Sequence, residues 1–587
     1  MWKGISVLAS LVLLGGCASN AHPPVTSNDG WTSDLMESRR WREADELDKD
    51  YLKLASETLL PVQKANVKVI GTEQQDAIKS LAAKIYLIEN AKHTIDMTYY
   101  IFADDLAGKA TLGALCRAVE RGVDIRIMVD SLGSYSPNNG NLKGLMQCEE
   151  NAGYVKDRQG EATTQKARVQ AVVFNALTDG ESRWNRRSHD KLFVVDGFYN
   201  EHAYLITGGR NMSLHYYGID SDGEKDFSAF RDIEILVRPK LDATPEQSPT
   251  QLSEYYFTVL FTKPGNKKLD TWASYNRDRG LLLSALEQLK ANSEFSEAYA
   301  DINRYVNQGY RVTDTKFAHE LDNLNAEDVV SRYSTNKSAN ANSISGILAK
   351  TAYGNSNLKT IRVVSPYLFL QSDLLKDEGI LDKDLNTTLT WLEQDPERKI
   401  EIITNSVLTS DNFFTQAVID MHTVPSMIMT DDALKQQWLD DDLEKNELNR
   451  AYLNSEAWKK AINHPRIKFY QLGKPDSVLL GGDQFYGKLH AKFLIIDDNA
   501  FVGTTNLDFR SLLYNNEVGF FLSGEELIAD LNQQFELLKE DSLLWGSEEW
   551  ISMRNKLREA GGTKGRTSES QREIYNLLES TGLKYQF

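Results

Sequence analysis

The stretch RWNRRSHDKLFVVD, residues 183–196, contains the pattern His-x-Lys-x-x-x-x-Asp, and YGKLHAKFLIID, residues 486–497, contains it again. Each copy continues into apolar, β-rich sequence and then into a turn of small residues that ends in asparagine. These turns are GGRN at 208–211 and GTTN at 503–506. Two equivalent half-sites in one chain predict a single composite active site that acts on a phosphodiester.

The residue types in the two motifs favour a covalent phosphoryl-transfer mechanism. Alternate residues of a strand point to the same side, so the histidine and lysine of each copy face one way. One histidine can attack phosphorus, and the other can protonate the leaving oxygen and then deprotonate an alcohol or water. The lysines and the asparagine amides would hold the developing negative charge, so that no metal or other cofactor is needed. The predicted catalytic residues are His189, Lys191, Asn211, His490, Lys492 and Asn506.

The aspartate that ends each motif has a different predicted role. Asp196 and Asp497 lie an odd number of residues beyond the lysine, and we interpret them as structural residues that close a strand end. Each histidine still needs a carboxylate that fixes its tautomer and ring direction. Asp232, in FRDIEILV, and Glu517, in LLYNNEVGF, are the candidates. The alternative is that both are solvated carboxylates at strand ends.

The order of predicted elements indicates a duplicated α/β fold. A chain of 587 residues is too long for one core and predicts two lobes. In residues 94–102 and 123–129 apolar residues alternate with others, which predicts two strands. A helical pattern at 107–121 lies between them, and this order is typical of a βαβ unit. The second half repeats this order loosely, with predicted strands at 360–366, 399–404 and 466–470. We therefore expect two pseudo-symmetric α/β sandwich lobes with one active site at their interface.

The predicted divisions of the chain follow from these patterns. They are a lipoprotein signal peptide at 1–16, a tether and N-terminal segment at 17–62, lobe one at 63–260, a helical connector at 261–342, lobe two at 343–545 with an insertion at about 411–465, and a C-terminal tail at 546–587. Within the insertion, the apolar piece 413–429 suits either a lipid interface or the core of lobe two.

The charge balance bears on the class of partner. The formal net charge is −18, which argues against a nucleic-acid partner, because such partners are bound largely through lysine and arginine.

Cys116 and Cys148 either form a disulfide, as in an exported protein, or remain as buried thiols. No cysteine–histidine cluster has the spacing of a zinc site.

The N-terminus indicates a location at a membrane. A short apolar run at 5–14 is followed by Leu14, two glycines and Cys17, which resembles a bacterial lipobox with Cys17 as the lipidated residue. An ordinary signal peptide or an uncleaved anchor is the alternative. We expect a lipid-anchored lipoprotein of the bacterial cell envelope that faces the periplasm.

The double motif resembles the phospholipase D superfamily, and within it the C-type bacterial cardiolipin synthases. TIDMTYYIFADDLAG, NRRSHDK, GGRN and GTTNLDFRSLLYNNE carry the resemblance, which covers roughly residues 69–538. It implies a phospholipid substrate, with His189 as nucleophile and His490 as acid and base, although these two roles could be reversed. Gly209 departs from the family, which more often has serine there and so gains a phosphate donor.

The resemblance leaves several functions to compare. Transfer to an alcohol on a second lipid would make a phosphatidyltransferase that works on a phosphatidylglycerol-like donor at a membrane surface. Transfer to water would make a phospholipase D that releases phosphatidic acid. An exported metal-independent nuclease and a non-enzymatic lipid-binding protein are more distant alternatives. The acidic balance argues against the nuclease, and two intact motifs argue against the non-enzymatic protein.

Overall fold

The computed structural model describes residues 30–42, 55–134, 139–176, 185–324, 328–354, 357–370, 383–440 and 451–587. The predicted signal peptide at 1–16 and the lipidation site Cys17 lie outside these ranges. In the ranges described, no helix has the length and apolar character needed to cross a membrane.

Most strands belong to one 16-stranded mixed sheet that continues through both halves of the chain. The strands are β1 (Gln63–Ile70), β2 (Thr94–Tyr99), β3 (Asp124–Asp130), β4 (Tyr154–Lys156), β5 (Ala162–Lys166), β6 (Val169–Phe174), β7 (Lys191–Val195), β8 (Tyr204–Gly208), β9 (Phe230–Arg231), β10 (Glu234–Pro239), β11 (Lys267–Lys268), β12 (Arg311–His319), β13 (Thr360–Val364), β14 (Lys399–Asn405), β15 (Ile467–Leu472), β16 (Lys488–Leu489), β17 (Phe493–Ile496), β18 (Asn499–Gly503), β19 (Val518–Ser523) and β20 (Ser542–Leu544).

The two halves of this sheet share one strand order. The first half runs β6, β3, β2, β7, β8, β10, and the second runs β15, β14, β13, β17, β18, β19. In each half the first three strands are parallel and the next ones antiparallel. Strands β1 and β12 pair with each other and with β10 and β19, so they join the two halves. The prediction of two duplicated α/β lobes is confirmed.

Helices pack on this sheet. They are α1 (Gly30–Ser38), α2 (Gln74–Asn90), α3 (Leu106–Glu120), α4 (Gly140–Gln147), α5 (Pro249–Phe261), α6 (Asn276–Ala291), α7 (Ser293–Ala300), α8 (Ile302–Asn307), α9 (Tyr333–Ala339), α10 (Ile344–Gly354), α11 (Lys383–Glu393), α12 (Phe413–Val418), α13 (Val424–Ile428), α14 (Asp432–Asp440), α15 (Glu456–Ile462), α16 (Phe509–Leu513), α17 (Glu525–Glu540), α18 (Glu548–Ala560) and α19 (Gly562–Thr581). Both faces of the sheet are buried: Phe193 and Val195 of β7 join one core cluster, and Leu192 and Val194 join another.

The six elements predicted from alternation and helical spacing are present, with ends that differ by up to three residues. The largest difference is at β2, which ends at Tyr99 rather than at residue 102. Beyond this point the backbone amide of Ile101 donates to Asn211 Oδ1 at 3.1 Å instead of continuing a ladder. The chain therefore leaves the sheet in order to contact the first small-residue turn.

The segment 261–342, predicted as a helical connector, contains a central strand as well as helices. Strand β12 lies in the middle of the sheet between β1 and β19. Its inward positions include Thr313, Thr315 and Phe317, which are all buried. Two of these three buried residues are threonines, so the sequence does not show the regular alternation of apolar and polar residues that predicts a strand.

The insertion and the tail complete the second lobe. Ile419, Val424 and Ile428 of the apolar piece 413–429 are buried in the core of this lobe, which favours the core interpretation over a lipid interface. Helices α18 and α19, in the predicted tail, pack against each other, and α19 also contacts α12. The tail thereby brings the start of α19 next to the insertion.

Cys116 of α3 and Cys148 form a disulfide, with their Sγ atoms 2.08 Å apart. Both cysteines are fully buried. The bond joins two segments of lobe one that are separated by 32 residues in sequence. Of the two alternatives that the sequence left open, the structure contains the bridged one.

Candidate active site

The two motifs lie at the start of equivalent strands in the two lobes. Lys191 begins β7, and Lys492 directly precedes β17. These strands run antiparallel to β2 and β13, so the motifs lie at the carboxyl ends of the parallel strands. This edge is where open α/β sheets bind ligands. His189 is only 8% exposed there and His490 only 6%.

Backbone hydrogen bonds between the lobes hold each histidine. The amide of His189 donates to the carbonyl oxygen of Asn516 at 3.0 Å, and the amide of Asn516 donates to that of Arg187 at 2.8 Å. In the other half, the amide of His490 donates to the carbonyl oxygen of Arg231 at 2.8 Å, and β16 pairs with β9. Each motif is therefore attached to the segment of the opposite lobe that carries a candidate carboxylate.

Each histidine ring consequently meets a carboxylate from the other lobe. Nδ1 of His189 lies 2.9 Å from Glu517 Oε1 and 3.0 Å from Oε2, and Nδ1 of His490 lies 2.6 Å from Asp232 Oδ2. Both carboxylates are fully buried, which excludes the solvated strand-end interpretation. A carboxylate at Nδ1 holds a proton there, so the Nε2 atom of each neutral ring keeps a lone pair.

The two lysines lie directly beside the histidines. Lys191 Nζ donates to the carbonyl oxygen of His189 at 2.7 Å. Lys492 Nζ donates to that of His490 and lies 2.7 Å from its Nδ1. Burial lowers the pKa of Lys191 to about 7 and that of Lys492 to about 8. The site therefore has two ammonium groups whose charge a bound anion would stabilise.

The two asparagines are not equivalent. Asn211 is held by the protein, because its Oδ1 accepts from the amide of Ile101 and its Nδ2 donates to Tyr216 Oη at 2.9 Å. The buried side-chain oxygen of Asn506 has no hydrogen-bond partner among the described residues. Asn506 thus has side-chain capacity left for a ligand, whereas the amide of Asn211 is already engaged by a tyrosine.

Asp196 and Asp497 lie at turns away from the histidine rings. Both adopt a positive φ of 50°, directly after β7 and β17. Their carboxylates accept hydrogen bonds of 2.7–2.9 Å from backbone amides. These amides belong to the first residue of β2 or β13 and to the residues just before it. The donors are Lys92, His93 and Thr94 for Asp196, and Lys359 and Thr360 for Asp497. This arrangement matches the predicted structural role.

Two further side chains support Glu517: Ser511, which the resemblance places in the extended motif, and Thr504, which the sequence did not single out. Thr504 Oγ1 donates to Oε2 at 2.6 Å, and Ser511 Oγ donates to Oε1 at 2.7 Å. Both belong to GTTNLDFRS, so their position in the motif was the available signal. Gly209 is the equivalent of Thr504, and a Cβ atom on it would lie 2.0 Å from Asp232 Oδ1. The carboxyl group of Asp232 thus occupies the space that a serine at 209 would need.

Aromatic rings enclose the two histidines. The ring of Tyr100 lies 5.0 Å from that of His189, and the rings of Tyr216 and Phe230 each lie 5.1 Å from that of His490. These contacts exclude water from the ring faces and leave the nitrogens as the reactive edges. Tyr216 and Phe230 gave no recognisable signal in the sequence, because only folding brings them to the second motif.

The charges differ between the two histidine–carboxylate pairs. Burial, followed by Lys191 and Lys492, holds the pKa of His189 well below its usual value. Burial also raises the pKa of Glu517 to about 7. Asp232 behaves in the opposite way: burial alone would raise its pKa, but Lys492 and His490 lower it below the usual value. His189 is therefore a neutral base, and His490 faces the more firmly ionised carboxylate.

The pH dependence of kcat/KM is expected to reflect the buried lysines. Their ammonium groups attract a phosphodiester only while protonated, and their pKa values of about 7 and about 8 lie below the usual 10.5. Because both ammonium groups are required, we expect kcat/KM to fall by about tenfold per pH unit between pH 7 and pH 8 and by about a hundredfold per pH unit above pH 8, since this ratio reports the free enzyme. The fall in kcat should begin at higher pH, because a bound anion raises lysine pKa values. A kcat/KM that is constant to pH 10 would contradict this assignment.

Comparison with known proteins agrees with this geometry. A family described as "Cardiolipin synthase, PLD-like domain" matches residues 85–224 and 355–539, more than half of the chain. Cardiolipin synthase C of Escherichia coli (strain K12) is 23% identical over 506 residues, which are 81% of this chain and 87% of that protein. A cardiolipin synthase of Oceanobacillus iheyensis is 28% identical over 187 residues, 32% of this chain and 33% of that protein.

A solved structure shares the fold. The phosphatidylserine synthase of Haemophilus influenzae Rd KW20 superposes with a TM-score of 0.54 at 12% sequence identity, over 91% of this chain and 99% of that one. The family match covers one segment in each lobe, and each segment contains one of the two histidine motifs. The chain therefore belongs to the phospholipase D-like cardiolipin synthase family and is an enzyme of the phospholipase D superfamily.

Proposed function

We propose that this enzyme transfers a phosphatidyl group from a phospholipid donor to an alcohol through a covalent phosphohistidine. One observation carries the proposal: two histidines, each oriented by a carboxylate of the opposite lobe, lie beside two lysines, and the charges of Lys492 and His490 act on His189. A nucleophile, an acid–base group and cations for the phosphate oxygens are then all present.

In the first half of the reaction, His189 Nε2 attacks the phosphorus of the donor. A nitrogen–phosphorus bond forms, the bond from phosphorus to the head-group oxygen breaks, and His490 gives its proton to that oxygen. Lys191 and Lys492 balance the charge on the two non-bridging oxygens. The head-group alcohol leaves, and the phosphatidyl group stays on His189.

In the second half, His490 takes the proton of an acceptor hydroxyl. The acceptor oxygen bonds to phosphorus, and the nitrogen–phosphorus bond breaks, which returns both histidines to their starting states. If the acceptor is an alcohol the product is a new phosphodiester, and if it is water the product is phosphatidic acid. The same site thus performs transfer or hydrolysis, depending on what occupies the acceptor position.

The electrostatics support His189 as the nucleophile. Its pKa is lowered further than that of His490, and a nucleophile must be neutral. The pKa of His490 is also lowered by burial, but Asp232 and Asp411 both act to raise it. An anionic phosphodiester adds to this effect, so His490 is the ring that more readily carries the proton needed by an acid.

Relatives named as cardiolipin synthases support a phospholipid substrate, and a phosphatidylglycerol-like donor fits this class. The formal net charge of −18 weighs against nucleic acid as the alternative phosphodiester. We propose that the enzyme meets this substrate at a membrane surface.

The proposal is tested with labelled phosphatidylglycerol in detergent or vesicles, with and without ethanol. We expect labelled phosphatidylethanol when ethanol is present, and no loss of this product in EDTA. Phosphatidic acid as the sole labelled product at any ethanol concentration would favour the hydrolase, and no turnover of the lipid would overturn the proposed function. DNA cleavage that survives EDTA but is lost in His189→Ala would instead favour a nuclease.

We further propose that the protein is an exported lipoprotein anchored through Cys17. The disulfide between Cys116 and Cys148 supports an oxidising compartment, because such bonds are rare in the bacterial cytoplasm. We expect the protein expressed in bacteria to incorporate labelled palmitate, and Cys17→Ser to abolish the label. Cys116→Ser is the matched control and should keep the label, and persistent labelling of Cys17→Ser would contradict the anchor.

A further inference from the structure

Three buried polar side chains form a network beside the first histidine–carboxylate pair. Asp190 directly follows His189 in the chain, and Asn516 directly precedes Glu517. The third member is Tyr256 of α5. Asp190 and Asn516 are fully buried, and Tyr256 is only 5% exposed. The network is therefore attached through the backbone to both members of this pair.

The hydrogen bonds of this network form a closed triangle. The side-chain nitrogen Nδ2 of Asn516 donates to Asp190 Oδ2 and to Tyr256 Oη, each at 2.6 Å. Tyr256 Oη donates in turn to Asp190 Oδ2 at 3.0 Å, and Ser188 Oγ donates to the same oxygen at 3.0 Å. One buried carboxylate oxygen thus collects three donors, and such networks hold their members in a fixed geometry.

The network crosses the boundary between the lobes. The two hydroxyl groups that hold the carboxylate of Glu517 belong to lobe two, as Glu517 does, so they do not fix its distance from His189. Asp190 and Tyr256 belong to lobe one, and both bind Asn516 of lobe two. We refer to these three residues as the interlobe clamp, because they hold the neighbour of Glu517 against the neighbour of His189.

The ring of Tyr256 is itself held in place by β12. Its centroid lies 5.1 Å from that of Phe317 and 5.5 Å from that of His319. Strand β12 pairs with β1 and β19 and so joins the two halves of the sheet. The element that sets the relative position of the lobes therefore also orients the tyrosine of the clamp.

The second half-site is built differently. Ala491 occupies the position that corresponds to Asp190, and Arg231 occupies the position that corresponds to Asn516. The Arg231 side chain pairs instead with the carboxylates of Glu73 and Asp541, which are 52% and 41% exposed. Ion pairs with exposed carboxylates hold a geometry weakly. The pseudo-symmetric site is therefore held more firmly on the side of the first motif.

We propose that the interlobe clamp positions Glu517 against His189 for attack on phosphorus. This inference rests on the proposed attack by His189, and the members of the clamp are positioning residues that do not touch the substrate. The attacking nitrogen must lie in line with the phosphorus–oxygen bond that breaks. A displacement of about 1 Å can cost about 10²-fold in rate, so the ring of the nucleophile needs such support.

Burst kinetics in the His490→Ala background test this inference. A phosphatidyl ester of p-nitrophenol needs no acid for its leaving group, so each active site releases one equivalent of p-nitrophenolate when His189 bonds to phosphorus. The burst amplitude counts folded sites, and the burst rate constant reports how well His189 is positioned. We expect Tyr256→Phe to lower this rate constant by about tenfold and Asp190→Ala by about 10²-fold.

Two matched variants separate positioning from stability. Asp190→Asn keeps an acceptor oxygen for Tyr256 and Asn516, so the rate constant should stay within about threefold of the unmodified value. Tyr255→Phe removes the hydroxyl of the next, half-buried tyrosine of α5 and should leave the rate constant unchanged. If Tyr256→Phe and Asp190→Ala lower the burst amplitude but not the rate constant, the clamp serves stability alone and the inference is overturned.

A second readout does not depend on turnover. In protein with ¹⁵N-labelled histidine, the Nδ1 proton that His189 shares with Glu517 should give a nuclear magnetic resonance signal that is lost in Glu517→Gln. We expect Asp190→Ala to shift or broaden this signal, and an unchanged signal would overturn the inference. If His490→Ala gives neither a burst nor a labelled intermediate, the proposed function fails instead, and this signal still decides whether the clamp positions Glu517.

Discussion

His189→Ala and His490→Ala are each expected to lower phosphatidyl transfer by about 10⁴-fold, because either change removes a group that forms or breaks bonds at phosphorus. The two variants should nevertheless fail at different steps. Without His189 no covalent intermediate forms. Without His490 the nucleophile remains, but the leaving alkoxide has no proton donor.

A phosphatidyl ester of p-nitrophenol distinguishes the two failures. This leaving group departs without protonation, so His490→Ala should still release about one equivalent of p-nitrophenolate and retain an acid-labile lipid label. His189→Ala should release none and retain no label. His215→Ala, at a histidine outside the motifs whose side chain is 73% exposed, is the matched control and should keep full activity. Full activity in either motif variant would contradict a shared site, and a burst in His189→Ala would reverse the assigned roles.

Replacement of the carboxylates is expected to have the second largest effect. Asp232→Asn and Glu517→Gln preserve shape, but an amide that donates to Nδ1 would place the histidine proton on Nε2, the atom that must react. A loss of about 10³-fold to 10⁴-fold in kcat follows from comparison with the analogous change in a serine protease triad. Circular dichroism and thermal unfolding should confirm that both variants fold.

The same p-nitrophenyl substrate tests whether the pairs cross between lobes. Asp232 lies in lobe one but contacts His490, so Asp232→Asn should impair natural lipid strongly and still give the burst. Glu517 lies in lobe two but contacts His189, so Glu517→Gln should suppress the burst as well. The opposite result, with the burst lost in Asp232→Asn and retained in Glu517→Gln, would show that the carboxylates serve the histidines of their own lobes.

Much of the fold was predictable, because the informative patterns are local. Alternation in β2 and β3 and the helical pattern between them identified a βαβ unit, and the same order recurred in the second half. Strand β12 was not predicted. Polar threonines occupy two of its buried positions, so the strand lacks the alternation of apolar and polar residues that identifies a strand. Its partners β1 and β19 are also distant in sequence. Without it, the continuity of the sheet between the lobes could not be anticipated.

The site, too, was predictable only in part. The motifs themselves identified the histidines and lysines, and strand context identified Asp232 and Glu517 as carboxylates. Which carboxylate serves which histidine was not predictable, nor was the engagement of Asn211 by Tyr216. Gly209 is a further example: the sequence suggested a missing phosphate donor, whereas the fold shows that its small size makes room for the carboxylate of Asp232.

By itself, the sequence determined the chemical inventory, because a spacing of two residues on a strand fixes which side chains face the same way. It thereby specified two histidine–lysine pairs and two aspartates that face away from them. Only the tertiary structure decided how these parts combine. Glu517 reaches His189 across 328 residues, and Asp232 reaches His490 across 258. Such contacts depend on strand pairing between lobes, which no local pattern encodes.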